Sequence, residues 1–221
     1  MKNLNNIAVI FDLDGTILDN KHFHIKAWVE FLNTQGISIT IEDFTNKGFG
    51  GSNKEYLSYF LKREISDEDD KILGELKEKI YREIYAPQFK PINGFNELID
   101  NLKKNKIKIA MATMAPKSNV DFTLNKLKNP EIFDAIIDYY MVKNGKPHPD
   151  IYLKASELLN IQPENCIVIE DSFIGIESAK NANMKVIGIE TYHSAKELKD
   201  ADFTIKDFTE LRIEDVLKLV Q

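Results

Sequence analysis

Asp12 and Asp14 follow directly on the apolar run IAVIF, Ile7 to Phe11, and Gly15 and Thr16 come next. Ile, Val and Phe suit a buried parallel strand, and Gly15 ends it. A carboxylate just past such a strand carries a large desolvation cost unless an opposite charge stands beside it. Two carboxylates in three residues therefore imply a cation. Mg²⁺ takes hard oxygen ligands, keeps several waters, and binds through one or two carboxylates plus substrate phosphate oxygens. The stretch suits phosphoryl transfer, with one carboxylate left free to react. An Asp-x-Asp-Gly turn also occurs simply to close a loop through Asx hydrogen bonds, so taken alone it supports either reading.

The rest of the chain supplies elements to position these groups. Its 221 residues allow one large domain, or one domain carrying a smaller insert, and 43% hydrophobic with 29% charged residues is a soluble globular composition. A net charge of -6 and a pI near 5.4 argue against nucleic acid or an anionic membrane as partner. The single cysteine, Cys166, excludes an intrachain disulfide and a cysteine zinc site. With no signal-peptide pattern and no apolar run long enough for a membrane span, the expected address is cytoplasmic; monomer is the default state.

Periodicity predicts an α/β fold. After Thr16 the pattern turns helical, with His24, Ala27, Trp28, Phe31 and Leu32 on one face. A glycine-rich loop, Thr45 to Asn53, precedes a helix over 54–62. Another helix starts near Ser66, with Ile72, Leu76, Ile80 and Ile84 as its apolar stripe. Residues 20–88 thus form an all-helical block inserted after the first strand. Beyond it, strands predicted at 107–112, 136–141, 166–169 and 186–189 alternate with helices, and 203–205 reads as an edge strand. That alternation implies a doubly wound parallel sheet, with residues 1–19 and 89–221 as core. In such sheets ligands bind beyond the carboxyl ends of the strands. Thr113, Lys146 and the pair Glu170 and Asp171 all follow strands at that end.

The order DLDGT (Asp12 to Thr16), Thr113, GKPHPD with Lys146, and IEDS with Glu170 and Asp171 resembles the haloacid dehalogenase superfamily over nearly the whole chain. The helical insert is similar to the small cap of its branch containing beta-phosphoglucomutases and sugar-phosphate phosphatases, and His24, Ala27 and Trp28 look like that branch's HxxAW stretch. The resemblance implies a Rossmann-like core with a helical cap over residues 20–88. It implies Asp12 as nucleophile forming an aspartyl-phosphate and Asp14 as acid and base. It implies Mg²⁺ held by Asp12, the Asp14 backbone carbonyl, Glu170 and Asp171, and Thr113 and Lys146 holding the phosphoryl oxygens of a small phosphorylated substrate. The roles have ordinary counterparts: Thr113 as a helix cap, Lys146 as a solvated lysine, Glu170 as a supporting acid, His24 as a core histidine.

Beta-phosphoglucomutases carry a basic pair in the loop entering the second cap helix. The present loop, TNKGFGGSNKEY, has no arginine and offers Lys47 and Lys54 only with a register shift. His24, Lys47 and Lys54 are the candidate cap contacts to substrate. The expectation is a phosphatase acting on a small phosphorylated sugar or related metabolite, with a phosphomutase as the alternative. A non-enzymatic phospho-accepting signalling domain fits less well, since such domains lack the helical insert.

Overall fold

The computed structural model describes residues 6–46, 52–127 and 130–220. The chain divides into two compact units, Met1–Asp19 with Lys90–Gln221, and Asn20–Phe89.

The first unit is built on β1 (Ala8–Phe11), whose four residues are all buried. After the helical unit the chain continues through helix α5 (Phe95–Lys104), β2 (Lys108–Ala112), α6 (Lys117–Leu127), β3 (Ala135–Ile137), α7 (Asp150–Leu159), β4 (Cys166–Glu170), α8 (Phe173–Asn181), β5 (Lys185–Ile189), β6 (Phe203–Ile205) and α9 (Ile213–Leu219). All strand pairings are parallel, in the order β3-β2-β1-β4-β5-β6. The doubly wound sheet expected from the alternation is therefore present. Side chains alternate across it as the strand period requires. Ala8, Ile10, Ala110, Cys166 and Val168 pack with Ile151, Tyr152 and Ala155 of α7 and with Ile176 and Ala179 of α8. Phe11 points the other way, with ring centroids 5.7 Å from Phe95 and 5.8 Å from Phe208. β3 is shorter than the predicted 136–141. The Asp138 carboxylate accepts from Tyr140 N at 2.9 Å and turns the chain into a short 3-10 segment, Tyr139–Met141, instead of prolonging the strand.

The second unit comprises α1 (Lys21–Thr34), α2 (Ile41–Asn46), α3 (Asn53–Leu61) and α4 (Asp67–Tyr85). Its core gathers Trp28, Phe31, Leu32, Phe44, Leu57 and Phe60. Helix α2 replaces the start of the expected loop, because Thr40 and Asp43 cap it reciprocally through Oγ1 and the Asp43 carboxylate. Ser52 and Glu55 form a capping box on α3. The predicted stripe of α4 is corrected. Ile72 and Leu76 are exposed and Ile84 is half-buried, and of the predicted stripe Ile80 packs partly buried against the core, whereas Lys77, Glu78, Tyr81 and Tyr85 are buried. The inward face is set by the tyrosine rings and by a Lys77–Glu78 ion pair at 2.7 Å that lets two charges be buried together. Among the described residues no helix is long and apolar enough to cross a membrane.

Candidate active site

The chemistry-bearing side chains of the α/β unit meet where β1, β2 and β4 end together. Phe11 is in register with Met111 and Ile169, so Asp12 emerges from the sheet beside Glu170, and the Asp12 amide donates to Ile169 O at 3.1 Å. Glycine is required twice here. Gly15 has φ +87, a conformation side chains rarely adopt, and a Cβ there would overlap the Asp171 carboxylate. Gly175, one turn into α8, lies so close to the Glu170 carboxylate that a Cβ would overlap it as well.

Lys146 is delivered by the loop before α7. Its Nζ lies 2.5 Å from Asp12 Oδ1 and 2.6 Å from Glu170 Oε1. Glu170 is held from every side. Oε1 also accepts from the Tyr152 hydroxyl at 2.8 Å, and Oε2 accepts from Asp171 N at 3.0 Å, Ser172 N at 3.1 Å and Ser172 Oγ at 2.9 Å. Ser172 caps α8 by accepting from Gly175 N. Asp12, Glu170 and Asp171 each offer a carboxylate oxygen within 4.8 Å of the others, and all three residues are buried.

Two of these three buried carboxylates, Asp12 and Glu170, share the Lys146 ammonium, and the charge divides unevenly. Burial pushes Glu170 up, but Lys146, Tyr152 and the Ser172 amide outweigh it and hold Glu170 below the usual carboxylate range. Burial drives Asp12 up to about 8, against Lys146 and with help from the charges of Glu170 and Asp14. Asp171 is likewise raised, by burial first and then by Glu170 and Asp12. Burial would lower Lys146, but Asp12 and Glu170 keep it firmly protonated. The donor set fits Mg²⁺: three hard carboxylate oxygens converge, and a divalent cation would favour the ionised form of all three, which one lysine does not. Asp14, half-buried, contributes no carboxylate oxygen to that trio.

Thr113, 1% exposed, follows β2 directly; its amide donates to Ile137 O and its Oγ1 accepts from Ala115 N at 3.0 Å, so the hydroxyl braces the turn before α6. The three residues proposed from the helical unit separate. Lys47 lies outside the described residues. Lys54 forms an ion pair with Asp67 at 2.5 Å. His24 is buried among polar groups of its own unit, with Nδ1 3.0 Å from Lys77 Nζ, 3.8 Å from Glu78 Oε2, and its ring stacked on Tyr81. The Asn53 amide completes that cluster by donating to Glu78 Oε1 at 3.0 Å. Sequence reading missed Tyr152, Ser172, Lys77 and Glu78. Ser172 carries an N-cap signal ahead of the apolar run of α8. The others have none, because a tyrosine on an apolar helix face and a Lys-Glu pair on a charged helix look ordinary.

The family model described as haloacid dehalogenase-like hydrolase matches residues 9–189. The chain is 33% identical over 81% of its length to a phosphorylated carbohydrates phosphatase of Thermotoga maritima, covering 83% of it. It is 30% identical over 94% of its length to a beta-phosphoglucomutase of Bacillus subtilis, covering 92% of it. It is also 31% identical over 95% of its length to the chloroplastic protein SUPPRESSOR OF QUENCHING 1 of Arabidopsis thaliana, but spans only 20% of that longer protein. Among solved structures, a family IA, variant 3 hydrolase from Entamoeba histolytica superposes with TM-score 0.88 at 34% identity, with 97% of this chain and 99% of that one covered.

Proposed function

The chain belongs to the haloacid dehalogenase-like hydrolase family, and on that premise we propose that it is a Mg²⁺-dependent phosphatase that hydrolyses a small phosphorylated metabolite, a sugar phosphate in first place, through an aspartyl-phosphate on Asp12. The observation that carries this reading is the buried, mutually close trio Asp12, Glu170 and Asp171 at the ends of β1 and β4, with the Lys146 ammonium bridging Asp12 and Glu170. The likeness to the Thermotoga maritima phosphatase supports the substrate class.

In this mechanism an Asp12 carboxylate oxygen attacks phosphorus. The bond from phosphorus to the leaving oxygen breaks, and Asp14 gives that oxygen its proton. Water then attacks the aspartyl-phosphate, Asp14 takes its proton, and phosphate departs with Asp12 regenerated. Lys146 and Thr113 hold the non-reacting phosphoryl oxygens, so the charge that spreads over them meets a fixed ammonium and hydroxyl. Asp12, Asp171 and the Asp14 carbonyl would hold the Mg²⁺, with Glu170, its oxygens already taken by five donors, as the supporting acid beside them; the ion when bound supplies positive charge to the phosphoryl group and its carboxylate neighbours. The same reading makes residues 1–19 and 89–221 the catalytic core and assigns substrate choice to the helical cap, residues 20–88, with His24, Lys47 and Lys54 as its contacts.

A phosphomutase is the second reading, favoured by the near full-length likeness to a beta-phosphoglucomutase. One experiment separates them. Purified protein with Mg²⁺ is offered a panel of sugar and metabolite phosphates, beta-glucose 1-phosphate with the 1,6-bisphosphate among them, and Asp12→Asn is the blank. Free phosphate from one compound, lost in the variant, is the expected result. Isomerisation to glucose 6-phosphate with little free phosphate would establish the mutase, and no turnover of any compound would remove both.

A further inference from the structure

Tyr152 lies on α7, six positions beyond Lys146, and the phosphoryl-transfer scheme leaves it without a task. It is fully buried, and its neighbours on the same core face, Ile151 and Ala155, are apolar. A phenylalanine would fill the same space without a polar atom to satisfy, since a buried hydroxyl costs stability unless it is bonded. The hydroxyl donates to Glu170 Oε1 at 2.8 Å, the oxygen that also takes Lys146 Nζ at 2.6 Å. The Tyr152 ring meanwhile lies 5.0 Å from the same ammonium.

Glu170 therefore receives five donors, two on Oε1 and three on Oε2, while a carboxylate offers about four lone-pair sites. Lys146 competes with Tyr152 for Oε1. The sharing weakens the hold of Glu170 on the ammonium and leaves more of its donor capacity for the Asp12 side, where Nζ stands 2.5 Å from the attacking carboxylate.

We propose that Tyr152 is a positioning residue for phosphoryl transfer: its hydroxyl occupies part of Glu170 Oε1 and its ring flanks the ammonium, so that Lys146 is aimed at Asp12 and the phosphoryl oxygens instead of being captured by Glu170. This inference rests on the reading of the site as a phosphoryl-transfer centre. It adds a residue of α7 that touches neither phosphorus nor metal and acts through Lys146.

The test compares wild type with Tyr152→Phe, which keeps the ring and removes the hydroxyl. Three quantities are measured: kcat and KM for phosphate release, the rise in Tm caused by Mg²⁺ with inorganic phosphate, and the same rise in a Lys146→Ala background. We expect kcat to fall about tenfold with KM little changed, as for loss of an interaction that matters in the transition state. The Tm of the metal-free variant should stay close to wild type, and its rise with Mg²⁺ and phosphate should shrink. In Lys146→Ala protein the further change Tyr152→Phe should alter that rise no more. An undiminished kcat together with an undiminished Tm rise would overturn the proposal. So would an equal loss with and without Lys146, which would show the hydroxyl acting independently of the lysine. If wild type releases no phosphate from any compound, the phosphatase reading fails by itself, and the thermal comparison still decides whether Tyr152 acts through Lys146.

Discussion

Asp12, Asp171 and Glu170 are chemically alike carboxylates, yet the site treats them differently because its donors are unequally placed. Five donors reach Glu170, so it holds the negative charge, while Asp12 and Asp171 are forced upward by burial and by that charge. Because Mg²⁺ needs deprotonated oxygens, its binding should release protons and tighten as pH rises toward about 8. Calorimetric titration in buffers of different ionisation enthalpy measures the release; a Mg²⁺ affinity independent of pH would contradict it. The sign for stability follows from the same shift. A group with a raised folded pKa stabilises fully below its unfolded value near 3.8 and loses that stabilisation as pH rises through about 8. Metal-free protein should therefore melt lower at about pH 9 than at about pH 6, with Mg²⁺ offsetting the loss. Cys166, by contrast, is pushed up to about 12 chiefly by burial, consistent with the inert packing read from its apolar surroundings.

At the scale of elements, the site depends on strand ends and helix starts that bring backbone close to carboxylates. α8 shows this well, since Ser172 caps the helix and binds Glu170 at once, and Gly175 leaves room for the carboxylate. Alanine is a better helix former than glycine by about 1 kcal/mol, so Gly175→Ala would stabilise an ordinary helix. Here we expect a lower Tm and a drop in phosphate release of about tenfold or more, because Glu170 cannot move without breaking bonds to buried donors. Thermal melts with activity assays check this, and a raised Tm with full activity would show that the carboxylate has room to shift. In the other unit, α4 buries a Lys-Glu pair and two tyrosines while turning Ile72 and Leu76 outward. Residue type assigned that face only in part, with Ile80 against the core and Ile72 and Leu76 in solvent. A buried ion pair has no hydrophobic signature, and the face a helix buries is set by what its neighbours present.

For the whole molecule, the parallel order β3-β2-β1-β4-β5-β6 places β1 and β4 side by side, so groups 158 positions apart, Asp12 and Glu170, share one lysine. The acidic trio belongs to the α/β unit alone. Mg²⁺ at a hundred times its Kd should stabilise that unit by about 2.7 kcal/mol, which raises Tm by about 5–10 °C for a domain of this size. Differential scanning calorimetry with Mg²⁺ or with chelator measures the shift. Asp171→Asn should abolish most of it; a shift of the same size in that variant would place the metal elsewhere.

The sequence by itself determined the alternation of strand and helix, the insertion after the first strand, and the four polar groups at strand ends, because each depends on periodicity or on the cost of a charge at the end of an apolar run. It also carried the family. Tertiary structure alone decided that Glu170 is the saturated member of the trio, that Tyr152 shares its oxygen with Lys146, that Thr113 braces a turn, and that His24 sits against Lys77 and Glu78. Those outcomes depend on which donors from distant segments arrive within about 3 Å of a given atom. Spacing along a chain does not encode that distance; packing does.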